Sequence, residues 1–226
     1  MQRHFDEELR VLHREILRMG SLVEEALAKS VKALVERNIQ LAEEVISSDQ
    51  AINMLEIEID ELCLRVLALH QPAAADLRFV VMALKINNDL ERMGDQAVNI
   101  AERTVELLRE PLLKCQTDLS RMASVAQGMV KNSLDAFVNR DAALARQVCG
   151  RDDEVDRIND QMFAEMIEAM RSDHAAIARG LGLILIGRHL ERVADHATNL
   201  AEDVIYLVQG RSIKHHLEER QAGSAP

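Results

Sequence analysis

Between Ile86 and Ala101 the apolar residues Ile86, Leu90, Met93, Ala97, Ile100 and Ala101 recur mostly every three or four positions. At roughly 100° per residue they share one arc about 100° wide, as expected of a helix with a single core-facing stripe. Breaks are few. Pro72, within His70-Gln71-Pro72-Ala73-Ala74-Ala75, stops one helix, and Asp76 is placed to cap the next. Ser172-Asp173 marks a similar turn, and Pro111 stands in a hinge. The pattern predicts six long helices over residues 3–36, 39–69, 76–109, 117–139, 142–171 and 175–209, with a frayed tail from Arg211.

The pattern also repeats. Residues 90–102 read LERMGDQAVNIAE and residues 190–202 read LERVADHATNLAE, with eight identities in thirteen positions at an offset of 100. Upstream, Leu34, Asn38, Leu41, Ala42, Val45 and Asp49 align with Phe137, Asp141, Leu144, Ala145, Val148 and Asp152 at an offset of 103. A shorter loop in the second half absorbs the difference. The expected fold is all-α, two tandem three-helix bundles related by duplication, over residues 1–110 and 111–210, with residues 211–226 as a disordered tail.

Composition agrees with long helices, since aromatics are only 2% and there are 3 prolines in 226 residues. The N-terminus, MQRHFDEELR, lacks the apolar core of a signal peptide, and the longest apolar runs, Phe79 to Leu84 and Leu181 to Ile186, are too short to span a bilayer. A cytoplasmic protein without direct membrane insertion is expected. Net charge is -11, which disfavours nucleic acid as a partner. Cys63, Cys115 and Cys149 are odd in number and widely spaced, and read as buried free thiols.

The candidate chemistry lies in the repeated block. Glu91, Asp95, Asn99 and Glu102 fall within about 80° of one another on a helix surface, and Glu191, Asp195, Asn199 and Glu202 copy the stripe. Both stripes lie outside the core-facing arc. Clustered acids repel at these spacings, so propensity does not explain them. Antiparallel packing of helices two and three brings Asp49, Asn53, Glu56 and Asp60 opposite Glu91 and Asp95. In the second half Asp152, Asp156 and Asn159 take the aligned places, with Phe163 where the first has Asp60. Roughly four to six oxygen donors per repeat suit a divalent or trivalent cation, whose charge offsets the repulsion. His196 flanks the second stripe as a further nitrogen donor or as a plain surface residue. The bland reading of both stripes is a solvated acidic face, partly neutralised by Arg92, Arg103 and Arg192.

These residues carry a family resemblance. Asp49 to Glu56, then Gln71-Pro72 with Asp76-Leu77-Arg78, then Leu90 to Asp95 repeated as Leu190 to Asp195, resemble the PhoU family of phosphate-specific transport accessory proteins over nearly the whole chain. The resemblance implies iron or zinc clusters on the E-x-x-x-D faces, with manganese or magnesium as further candidates. It also implies a homodimer and a negative regulator of phosphate uptake and the phosphate-starvation response. The implied partners are the ATPase subunit of a phosphate ABC transporter and a phosphate sensor histidine kinase. Glu91, Asp95, Glu191 and Asp195 are the expected metal ligands, with Asn99, Asn199, Asp49, Asn53, Asp152 and Asp156 as second choices. Ala194 stands where the first copy has Gly94, and the second half lacks the Gln-Pro and Asp-Leu-Arg elements, so the sites need not be equivalent.

No enzyme is expected. The chain has no H-E-x-x-H, nucleophile elbow or P-loop, and no His has an Asp or Glu three residues before it, as inward-facing di-iron sites require. The alternatives are a metal-free helical scaffold or a metal store, and, more remotely, a di-iron enzyme.

Overall fold

A computed structural model of the chain describes residues 2–111, 113 and 118–213. Among them there are seven α-helices and no strand: α1 (Gln2–Glu36), α2 (Ile39–His70), α3 (Ala74–Leu107), α4 (Leu119–Asn139), α5 (Ala142–Cys149), α6 (Asp152–Ser172) and α7 (Ile177–Gln209). A 3-10 turn, His174–Ala176, precedes α7. α1, α2 and α3 form the first bundle, and α4, α5 with α6, and α7 form the second.

The duplication is visible in the turns. Arg37 leaves α1 in the left-handed region (φ 55°), and the Asn38 side chain then caps α2 by accepting from the Leu41 amide at 3.1 Å. Arg140 (φ 51°) and Asp141 do the same 103 residues later, Asp141 accepting from the Ala143 and Leu144 amides. Each cap satisfies amides that the first helical turn leaves open.

Two expectations need correction. The helix predicted over 142–171 is broken at Gly150-Arg151 into α5 and α6. Asp152, Asp153 and Glu154 fill the first turn of α6, where the positive end of the helix dipole favours acids, and Gly150 weakens continuation. Asp76 does not cap α3 with its side chain; the cap position is Ala73, in extended backbone with no side-chain hydrogen bond, and Asp76 sits in the first turn. The hinge runs through Leu108–Pro111, where Arg37 donates to the Leu108 and Glu110 carbonyls at 3.2 and 2.9 Å. Cys115, and the predicted disordered tail beyond Ile213, lie outside the described residues.

One contiguous apolar core serves both bundles. Ile86, Leu90, Met93, Ala97, Ile100 and Ala101 are all fully buried, as their spacing predicts. Each larger side chain of that row contributes about 2 kcal/mol of burial free energy. α3 and α7 pack most extensively across the junction, with α1 against α4 beside them. The α3–α7 seam has pseudo-twofold symmetry at the level of single contacts. His196 Nδ1 lies 2.9 Å from Asp89 Oδ1, and His189 Nδ1 lies 2.9 Å from Gln96 Oε1; 89 corresponds to 189 and 96 to 196 in the repeat. Among the described residues no helix is long and apolar enough to cross a membrane.

Candidate metal centre

In each bundle the third helix lies along the outer helix that precedes it, α3 on α2 and α7 on α6. Gly94 permits the close approach in the first: a Cβ there would lie 3.1 Å from Ile52 Cδ1. Gly187 does so in the second, where a Cβ would fall 1.8 Å from Met162 Cε and 2.8 Å from Asn159 Oδ1. The acidic stripes flank these contacts, which half cover Glu91, Asp95 and Glu191 and leave Asp195 exposed. Glu91 and Glu191 retain only 22% and 17% side-chain exposure, less than a freely solvated face would.

In the first bundle the structure brings together Asp49, Asn53, Glu56, Glu91 and Asp95. Burial, followed by the neighbouring charge of Asp95 and then Glu56 and Asp49, raises the pKa of Glu91 against the opposing pull of Arg92. Burial and Asp49 likewise raise Asp95. Asn53 Nδ2 donates to Asp49 Oδ2 at 2.7 Å, while Asp49 Oδ1 is buried with no hydrogen-bond partner. Arg92 reaches both acids loosely, 3.4 Å from Glu91 and 3.5 Å from Asp95. Below the cluster Asn87 donates to the Glu56 carbonyl and to Asp60 Oδ1, each at 2.9 Å, tying α3 to α2.

The second bundle gathers Asp152, Asp156, Asn159, Glu191 and Asp195. Asp152 is pushed up to about 6, first by burial and then by Asp195 and Asp156. Asp195 and Asp156 are also raised, by burial and then by Glu191. Thr198 Oγ1 approaches Asp152 Oδ1 at 3.4 Å. Glu191 is held by Asn159 Nδ2 at 2.8 Å and by Arg188 Nη1, which lies 2.5 and 2.6 Å from its two oxygens.

The remaining candidates lie elsewhere. Asn199 lines a groove with Lys85, Asn88, Asp89 and Asp203 on the side facing α3, and Asn99 holds the equivalent position on α3. His196 is turned toward Asp89 in the seam rather than toward the acidic cluster. Arg188, Thr198 and Asn87 join the clusters from outside the acidic stripes; the i, i+3 spacing of Arg188 to Glu191 is the signal that the sequence carries for the first of them. Cys63 is buried and Cys149 half-buried, and burial pushes their thiols up to about 12 and about 11.

The donors are oxygens only, and an orphaned buried carboxylate oxygen points to a missing positive partner, so the residue set fits a hard cation. As the side chains stand, no three His, Cys, Asp or Glu among the described residues are grouped to hold a metal ion.

Fold and clusters together define a class: a duplicated helical protein whose two bundles present matching acidic faces. The PhoU domain matches residues 16–104 and 119–204, and the chain belongs to the PhoU family. It is 42% identical over 214 residues to the phosphate-specific transport system accessory protein PhoU homolog of Aquifex aeolicus, covering 94% of this chain and 97% of that one. The homolog of Pseudomonas aeruginosa is 40% identical, covering 95% and 89%. The crystal structure of PhoU from Pseudomonas aeruginosa matches with a TM-score of 0.89 at 41% identity, over 92% of this chain and 100% of that one. The phosphate transport system regulatory protein PhoU from Streptococcus pneumoniae matches at 0.86 and 34% identity, over 93% and 99%.

Proposed function

We propose that this chain is a cytoplasmic, homodimeric adaptor that restrains phosphate uptake and the phosphate-starvation response. It does so by linking the ATPase subunit of a phosphate ABC transporter to a sensor histidine kinase. Similarity along 94% of the chain to an accessory protein of the phosphate-specific transport system carries this reading. The helices supply surface for contact: α1, α2, α3 and α7 have 35, 32, 34 and 33 residues, giving faces about 50 Å long. A deletion strain grown in ample phosphate tests it. Starvation genes should be switched on there, and the tagged protein should co-purify with the transporter ATPase or the kinase. Normal repression with neither partner recovered would overturn the adaptor reading.

Metal binding belongs to the same proposal. Glu91 and Asp95 with Asp49 and Asn53 would hold one cation, and Glu191 and Asp195 with Asp152 and Asp156 another. Two observations support this: acids with raised pKa in both clusters, and the orphaned Asp49 Oδ1. A bound cation would supply the positive charge that lets the facing carboxylates ionise together. Asp49 and Asp152 would anchor from α2 and α6, while Glu91, Asp95, Glu191 and Asp195 close from α3 and α7. A metal-free scaffold is the second reading, favoured by Arg92 and Arg188, which already pair with the stripes.

A further inference from the structure

The two acidic clusters differ in one cation that the protein carries itself. Arg188 lies one turn before Glu191 on α7, and its Nη1 straddles both carboxylate oxygens at 2.5 and 2.6 Å. The equivalent position on α3 is Asn88, which has no charge to offer Glu91. Arg92 and its counterpart Arg192 occur in both repeats, but it is Arg92 that pairs with the acids of its own cluster, so the guanidinium in contact is Arg92 in the first and Arg188 in the second. In the first cluster Arg92 stays 3.4 to 3.5 Å from the acids, and its pairing is split between Glu91 and Asp95. In the second, Arg188 is committed to Glu191, and Asn159 takes a further share of Glu191 Oε2 at 2.8 Å.

We infer that Arg188 is a built-in counter-ion that competes with metal for Glu191, so that the second cluster binds cations more weakly than the first. Binding through Glu191 requires breaking a charge-assisted contact that no first-cluster ligand makes as tightly, and it places the incoming cation beside a fixed guanidinium. The Arg188 side chain is more than half exposed, at 56%, so it swings into solvent when displaced, and its release does not disturb the core. The inference rests on the metal reading above and assigns the inequality between the two sites to one residue.

The test uses the full chain with manganese(II) chloride as probe, free ion being counted by its electron paramagnetic resonance signal. In a Glu91→Gln, Asp95→Asn background only the second cluster remains, and Arg188→Asn should tighten its manganese affinity by up to about fivefold, the scale of one partly exposed ion pair. In the converse Glu191→Gln, Asp195→Asn background, Asn88→Arg should weaken the first cluster by a similar factor. Circular dichroism at the same concentrations checks that each variant is folded; both 88 and 188 are exposed helical positions. Manganese binding in both backgrounds with affinity unmoved by Arg188→Asn would overturn the role of Arg188 and leave the metal reading standing. No manganese binding in either background or in the unmodified chain would overturn both.

Discussion

Set side by side, the two acidic clusters contain the same kinds of donor in a different order. Asp49, Asn53 and Glu56 on α2 face Glu91 and Asp95, whereas Asp152, Asp156 and Asn159 on α6 face Glu191 and Asp195. Each set has four carboxylates and one amide, and the amide has moved one helical turn. The move has consequences. Asn159 can donate to Glu191, while Glu56 at the same place can only repel Glu91. Beneath the clusters, Asn87 ties α3 to α2 by hydrogen bonds, and its counterpart Gly187 instead lets Met162 of α6 pack against α7. Equal charge is thus held by a polar link in one bundle and by close packing in the other.

Exchanging those supports should break the comparison most sharply. Gly187→Asn installs the first repeat's residue where a Cβ alone would meet Met162 at 1.8 Å, and should cost about 3 kcal/mol by overpacking. A thermal melt should fall by roughly 6–12 °C for a chain of this length; an unchanged midpoint would show that the two supports are interchangeable.

The α3–α7 seam gives a smaller contrast. Asp89→Ala removes the carboxylate from His196 and should cost about 2 kcal/mol, while Gln96→Ala at the pseudo-symmetric place should cost about 1. Urea unfolding of the two variants resolves the difference, and equal losses would mean the charge on Asp89 adds nothing.

Next in size is a pH effect at Asp152 of the second cluster. The pKa of Asp152 is raised in the folded chain to about 6, from 3.8 ordinarily, so its contribution to stability is present below about pH 3.8 and lost as pH rises through about 6. In chelator-treated protein Asp152→Asn should therefore be more stable than the parent at pH 7, by about 1 kcal/mol after allowing for solvent screening, and the gap should close toward pH 4. A gap that widens on acidification would contradict the sign. The smallest effect is expected for Gly94→Ala, which makes the first repeat resemble Ala194. About 1 kcal/mol of helix propensity is offset by the 3.1 Å contact with Ile52, leaving a net change within about 1 kcal/mol of zero by chemical denaturation.

Much of this frame is legible in the chain itself. The offsets of 103 and 100 place the turns at Arg37-Asn38 and Arg140-Asp141, and folding α2 back on α3 brings Asp49 and Glu56 to Glu91 as the spacing requires. The break at Gly150-Arg151 was readable from a glycine followed by Asp152, Asp153 and Glu154, but the unbroken α2 at the aligned place masks it. The meeting of His196 with Asp89 has no local signal, because it depends on how one bundle packs against the other. The direction of Asn199 is fixed by the same seam, which helical spacing alone cannot specify.

The most direct test of paired cation sites is elemental analysis of protein purified without chelator, for the unmodified chain and for Glu91→Ala, Asp95→Ala and Glu191→Ala, Asp195→Ala double variants. Each pair lies within one cluster and off the core, so each variant should fold and lose its own cluster's share of bound metal while keeping the other's. The four changes together should remove nearly all of it. Metal content unchanged across the series, or absent from the unmodified chain, would make the stripes solvated acidic faces and contradict the account.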